Sequence, residues 1–125
     1  MKKVLEEGNV PSAVGPYSLA VRHGDLVLLS GQVAIDRKTN EPVYGPVAEQ
    51  TRIALENIRE ILRANGLTMD NILKCDVYMT SLDDVEEMNT VYGTFFQDNP
   101  PARITVAVTA LYKGLSVEID AIAAF

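Results

Sequence analysis

What most constrains this chain is a shortage of helix. Only two segments carry a helical period, and nearly all the remaining patterned sequence alternates with a period of two. The first helix is predicted from Gly45-Pro46 to a stop at Asn65-Gly66. Pro46 suits the first helical position, where a backbone N–H is not needed, and Gly66 suits the left-handed turn that ends many helices. Val47, Ala54, Leu55, Ile58, Ile61 and Leu62 share one stripe, with Glu49, Arg52, Glu56, Arg59 and Arg63 opposite. The second helix is predicted to begin near Asp83 with Glu86 three positions on, or at Ser81 with Asp84. Its stripe is Val85, Met88, Tyr92, Phe95 and Phe96, and Pro100-Pro101 prevent its continuation.

The strands are predicted at Ser18–Arg22, Leu26–Leu29, Ile72–Thr80, Ile104–Ala110 and Ser116–Ala124, with Lys2–Glu6 as a short edge. The order β-β-β-α-β-α-β-β describes one α+β domain, residues 1–125, with a mixed sheet and both helices on one face. Two helices leave the other face bare. Parity places Arg103, Thr105, Ala107, Thr109, Ser116, Glu118, Asp120 and Ile122 there, with Ile104, Val106 and Val108 turned inward. Small residues such as these let another surface approach closely, so this face is expected to pack against other subunits. A solvated, threonine-rich face is the competing reading.

Composition removes several function classes. With 47% hydrophobic residues the chain has material for a core, and its net charge is 11 − 17 = −6. The basic residues are dispersed, which argues against nucleic-acid binding. No apolar run approaches the ~20 residues of a membrane span, and the N-terminus turns acidic where a secretion signal needs an apolar stretch. One cysteine, Cys75, permits no internal disulfide, and a cytoplasmic setting is expected. Phosphate-cradling loops and zinc-protease motifs are absent. The lone His23 falls in a turn, where solvation accounts for it, and Cys75 reads as a small buried hydrophobe.

Four places carry candidate chemistry. Arg103 follows Pro100-Pro101-Ala102 and, if a neighbour covers its face, needs an anion. That anion is either a ligand carboxylate, which a planar guanidinium fork suits, or Glu118 or Asp120 in an internal ion pair. Glu118 shares the predicted face and can move a proton or pair with Arg103. Their separation depends on the turn: a tight loop at Lys113-Gly114 sets Thr109 opposite Glu118, and a wider one sets Thr105 there. Gly15-Pro16-Tyr17-Ser18 offers Tyr17 as an aromatic wall or as an ordinary strand-edge tyrosine. In Ser30-Gly31-Gln32, Gly31 allows close ligand approach or marks a bulge. Asn89 borders the second helix's apolar stripe, where a local hydrogen bond is the default for its amide.

Taken together, Gly15-Pro16-Tyr17-Ser18, Ser30-Gly31-Gln32, Glu49-Gln50, Leu55-Glu56-Asn57-Ile58, Asn89 with Tyr92 and Phe95-Phe96, Pro101-Ala102-Arg103 and Val117-Glu118-Ile119-Asp120-Ala121-Ile122-Ala123 resemble the Rid, or YjgF, family of reactive-intermediate deaminases. The resemblance implies a chorismate-mutase-like fold and a homotrimer with clefts between subunits. It implies hydrolysis of 2-iminobutanoate, 2-iminopropanoate and their enamine tautomers to 2-keto acids and ammonia, with no cofactor and no metal. The imines come from pyridoxal-phosphate dehydratases. By the same resemblance Arg103 holds the substrate carboxylate, Glu118 positions or exchanges protons with water, and Tyr17 lines the cleft from the adjoining subunit. Ser30, Gly31, Asn89 and Thr105 complete the implied binding set. Two departures bear on substrate range: Thr105 stands where many members have cysteine, and Leu111-Tyr112-Lys113 stands where they read Leu-Pro-Lys. The alternatives are a non-catalytic keto-acid-binding protein and, against the charge balance, a ribonuclease or translation inhibitor.

Overall fold

A computed structural model describes residues 1–125. Six strands form one sheet: β1 Lys3–Val4, β2 Ala20–His23, β3 Leu26–Val33, β4 Ile72–Met79, β5 Ala102–Ala107 and β6 Val117–Ala124. Helix α1 spans Val47–Ala64 and α2 spans Val85–Phe95. The spatial order is β1-β2-β3-β6-β4-β5, all antiparallel except the β4–β5 pair. This is the expected α+β architecture, with the helices sharing one face.

The core forms where the two periodicities meet. Ala54, Leu55, Ile58, Ile61 and Leu62 of α1 pack on Val27, Leu29, Cys75, Val77, Val117, Ile119 and Ala121 of the sheet. Met88, Tyr92 and Phe96, on α2 and its C-cap, extend that core over β4. Buried polar residues tie the helix to the strands around it. The Gln50 side chain donates to the Gly45 carbonyl at 2.9 Å and accepts the Ser116 N–H at 2.8 Å. Asn57 donates to the Ile35 carbonyl at 3.1 Å. The Ala48 N–H, in the first turn of α1, is taken by the Glu87 carboxylate at 2.7 Å, which satisfies a helix-end donor and complements the helix dipole.

Two expectations fail at β5. It does not form a hairpin with β6. It runs parallel to β4 after the α2 crossover, and β6 inserts between β3 and β4. Its inward and outward residues are also reversed. Arg103 and Thr105 pair with the core-facing Cys75 and Val77, so they lie on the helix side, whereas Ile104 and Val106 lie on the open face at 46% and 38% exposure. The prediction assumed that the more apolar side of a strand must face its own helices. Here both sides of the sheet carry apolar residues, because Leu26 and Leu28 are also exposed on the open face, at 46% and 45%. That face is therefore an apolar patch with Asp76, Tyr78, Glu118 and Asp120 across its middle strands.

Candidate functional site

The bend in β3 builds the first half of the site. Leu29 pairs with Ala121 and Gln32 with Ile119, so three residue steps on β3 span two on β6. The extra residue makes a bulge at Ser30-Gly31, a device that re-aims side chains. Ser30 is held there by its hydroxyl, which donates to the Ser18 carbonyl at 2.7 Å, and by its N–H on the Leu19 carbonyl at 2.8 Å. Gly31 lies against the Glu118 side chain: a Cβ at position 31 would overlap Oε2 and sit 2.9 Å from Cδ and 3.1 Å from Cγ. The bulge reading of this glycine holds, and what approaches its backbone in the chain itself is the Glu118 side chain.

Tyr17, Ser30, Gly31 and Glu118 line one cavity of about 370 Å³, walled by Val14, Val33, Ile35 and Tyr112. Tyr17 is about half exposed, and its hydroxyl accepts the Val14 N–H at 3.4 Å, which closes the 14–17 turn. Burial raises the Glu118 carboxyl above its ordinary value, and no cation pairs with it. A group so placed takes and returns a proton more readily than an exposed glutamate at neutral pH.

The second half lies on the other side of the sheet. Arg103, Asn89, Tyr92, Gly93 and Phe96 line a shallow cavity of about 320 Å³ with Pro100 and Pro101. Arg103 makes no ion pair. Its guanidinium stands over the Tyr92 ring at 4.8 Å from the centroid, with Nη1 4.0 Å from the Met88 sulfur. The ion pair with Glu118 or Asp120 is excluded by geometry, because Arg103 shares a face with Cys75 whereas Glu118 pairs with Tyr78 on the opposite face. The expected local hydrogen bond of Asn89 is also not made. Its side chain is exposed beside Arg103 and has no intramolecular partner. Thr105 follows Arg103 on the helix side, its hydroxyl oxygen buried with no hydrogen-bond partner, and it lines neither cavity.

The bland readings of two residues hold. Cys75 is fully buried, and burial pushes its thiol up to about 11, so no thiolate is available. His23 is exposed at the end of β2, just before the Gly24-Asp25 turn, with Nδ1 3.2 Å from the N-terminal amine. No group of three His, Cys, Asp or Glu side chains converges as a metal site. Sequence reasoning missed the Asp76–Asp120 pair. These residues are direct cross-strand partners on the open face, and burial with the neighbouring Asp76 pushes Asp120 up to about 6. Only the β4–β6 register reveals them. It also missed the Val14 wall, whose segment has no periodicity to read.

The family model described as endoribonuclease L-PSP matches residues 7–125. The chain belongs to the YjgF/Rid family. A RutC family protein of Pyrococcus horikoshii is 42% identical over 98% of each chain. The 2-iminobutanoate/2-iminopropanoate deaminase of Mus musculus is 40% identical over 98% of this chain and 91% of its own. Among solved structures, the conserved Rid family protein YyfA of Yersinia pestis superposes with a TM-score of 0.95 at 39% identity, over 100% of both chains. E. coli TdcF with bound serine superposes at 0.92 and 38% identity, over 98% of both.

Proposed function

We propose that this Rid-family chain is an imine deaminase that converts 2-iminobutanoate, 2-iminopropanoate and their enamine tautomers to 2-keto acids and ammonia, using clefts formed between the subunits of a homotrimer. The observation that carries the reading is the division of the site. An unpaired guanidinium and a carboxylate of raised pKa lie on opposite faces of one sheet, so a small ligand can touch both only where two copies meet. The apolar open face with Ile104, Val106, Leu26 and Leu28 supplies the surface for that meeting. Mammalian relatives named for this reaction at about 40% identity support the substrate class.

The chemistry needs little more than these groups. Arg103 donates two parallel N–H bonds to the substrate carboxylate and Asn89 adds a polar contact beside it. An enamine first takes a proton at carbon to become the imine. Glu118 of the facing copy removes a proton from water as the water oxygen bonds to the imine carbon. The carbinolamine nitrogen then receives that proton, and as its C–N bond breaks the hydroxyl gives its own proton to the Glu118 carboxylate, which passes it on to the departing ammonia and leaves the keto acid C=O behind. Proton transfer of this kind contributes about 10²–10⁴-fold, and holding water and imine together adds to it. The protonated imine is itself electrophilic, so the step closes without a cofactor.

Mixing variants tests the division directly. Arg103→Ala and Glu118→Gln each keep only a small residual activity on imines generated by a dehydratase, with keto-acid release as the readout. Unfolded together and refolded at equal amounts, they regain about a quarter of wild-type activity, because random assembly of a cyclic oligomer pairs an intact Arg103 with an intact Glu118 in one cleft of four. No recovery from a well-assembled mixture refutes the shared cleft. Unimpaired turnover by Arg103→Ala refutes the carboxylate role. A wild-type protein that binds 2-oxobutanoate without hydrolysing imines is a binding protein instead.

A further inference from the structure

An arginine next to a hydrophobic core normally pairs with a carboxylate, and this one does not. Arg103 stands on the helix side of β5 with no ion pair and with no oxygen or nitrogen of the chain within hydrogen-bond distance; its one polar contact is the Met88 sulfur at 4.0 Å. A long unpaired side chain of this kind samples many rotamers, and each must be given up when a ligand is gripped. Its neighbours on α2 already restrict it. The face of Tyr92 lies 4.8 Å beneath the guanidinium carbon, and Tyr92 is 6% exposed. The ring is in turn fixed by Phe96, with centroids 4.7 Å apart and planes at 43°. Met88, one helical turn before Tyr92 and fully buried, closes the other side.

We infer that Tyr92, backed by Phe96 and flanked by Met88, is a positioning residue: its ring face holds the Arg103 guanidinium in a fixed plane, charged and unpaired, ready to receive a carboxylate. An aromatic face attracts the cation through its quadrupole yet offers no lone pair to occupy the N–H donors. An aspartate or glutamate at position 92 would hold the arginine as well and would block it. The hydroxyl takes no part. It is buried beside Cys75 with no nitrogen or oxygen partner, so the ring alone accounts for the role. The inference rests on the deaminase reading only for the identity of the carboxylate.

The test replaces Tyr92 by Phe, by a series of fluorinated phenylalanines that keep the shape while draining the ring face, and by Met, which keeps much of the volume without a ring. Binding of 2-oxobutanoate, KM and kcat for imine hydrolysis, and the NMR signals of the Arg103 δ-protons are measured for each. Tyr92→Phe keeps binding within about twofold and keeps the upfield ring-current shift of Arg103. Successive fluorination weakens binding stepwise, and Tyr92→Met weakens it about 3- to 30-fold, the range of a partly desolvated cation–π contact, with KM rising and kcat changing much less. The Met variant also loses the upfield shift. Binding indifferent to fluorination, or Arg103 signals unchanged in a folded Tyr92→Met protein, overturns the inference. If the wild-type protein neither binds 2-oxobutanoate nor hydrolyses imines, the deaminase reading fails, and the Arg103 signals of the Met variant decide the platform by themselves.

Discussion

Gly31→Ala tests whether the Glu118 carboxylate works from the place where it is found. The added Cβ falls on Oε2 and within 2.9 Å of Cδ and 3.1 Å of Cγ, distances that real Cβ atoms rarely or never show. The colliding group is the far end of a flexible side chain, so the collision is relieved by Glu118 swinging away rather than by β3 breaking. Gly31 does not have a left-handed backbone angle, so alanine brings no backbone strain. The fold therefore survives, while the carboxylate moves by about 1 Å or more, and a misplacement of that size costs about 10²-fold in rate. We expect kcat for 2-iminobutanoate to fall about 10²- to 10³-fold in a coupled dehydratase assay. Thermal stability should stay near that of the wild type. If the loss comes through Glu118, adding Gly31→Ala to Glu118→Gln costs little further, because the two act as one unit. The pH profile supplies a second check. Burial raises the Glu118 pKa, so wild-type kcat/KM should fall on acidification from a higher pH than an ordinary glutamate gives, and Glu118→Gln should lack that limb. A fully active Gly31→Ala enzyme, or a loss that adds in full to that of Glu118→Gln, refutes the assignment.

Three further outcomes follow from the core and the open face. Asp120 has its folded pKa raised to about 6, so its contribution to stability is fully present below 3.8 and is lost as the pH rises through 6; Asp120→Asn should stabilise the protein at pH 7 by about 1 kcal/mol after allowance for solvent screening, and should flatten the denaturation profile between those limits. Equal stability of the two proteins across that window would sink it. Ile104→Glu places a charge in the middle of the apolar open face, where burial without a partner costs several kcal/mol, and sedimentation velocity should show monomers in place of trimers; an unchanged mass rejects this face as the contact. Leu55→Ala, at a fully buried site on α1, should cost about 2–5 kcal/mol in urea unfolding, and a loss below about 1 kcal/mol would mean that the core does not depend on α1 as described.

The elements themselves were legible because each has its own period. The α1 stripe from Val47 to Leu62 and the β6 alternation from Val117 to Ala123 are buried as read. The order of elements also followed, and with it the α+β class. The placing of β5 did not follow, for two physical reasons. Parallel pairing through α2 leaves no local mark to distinguish it from a hairpin with β6, since both need only a β-prone segment. The alternation of Ile104 and Val106 says that one side of the strand is buried, but not whether the burial is within a chain or between chains. A single reversed strand moved Arg103 from the face of Glu118 to the opposite face. Six of the seven residues singled out line cavities, Tyr17, Ser30, Gly31 and Glu118 at one and Asn89 and Arg103 at the other, whereas Thr105 lines neither. What residue type could not supply was the partition of these six into two groups.

The position of β5 at the end of the sheet carries a last consequence. It has β4 on one side and no strand on the other, so a freshly synthesised chain offers an unsatisfied backbone edge whose central residues, Ile104, Thr105 and Val106, favour extended structure. Such an edge recruits other extended polypeptides and is a route to fibres. Pro100 and Pro101 stand immediately before it and Arg103 is its second residue, which keeps the sticky stretch to a few positions. Arg103 thus places a positive charge on a strand edge that is otherwise apolar or small.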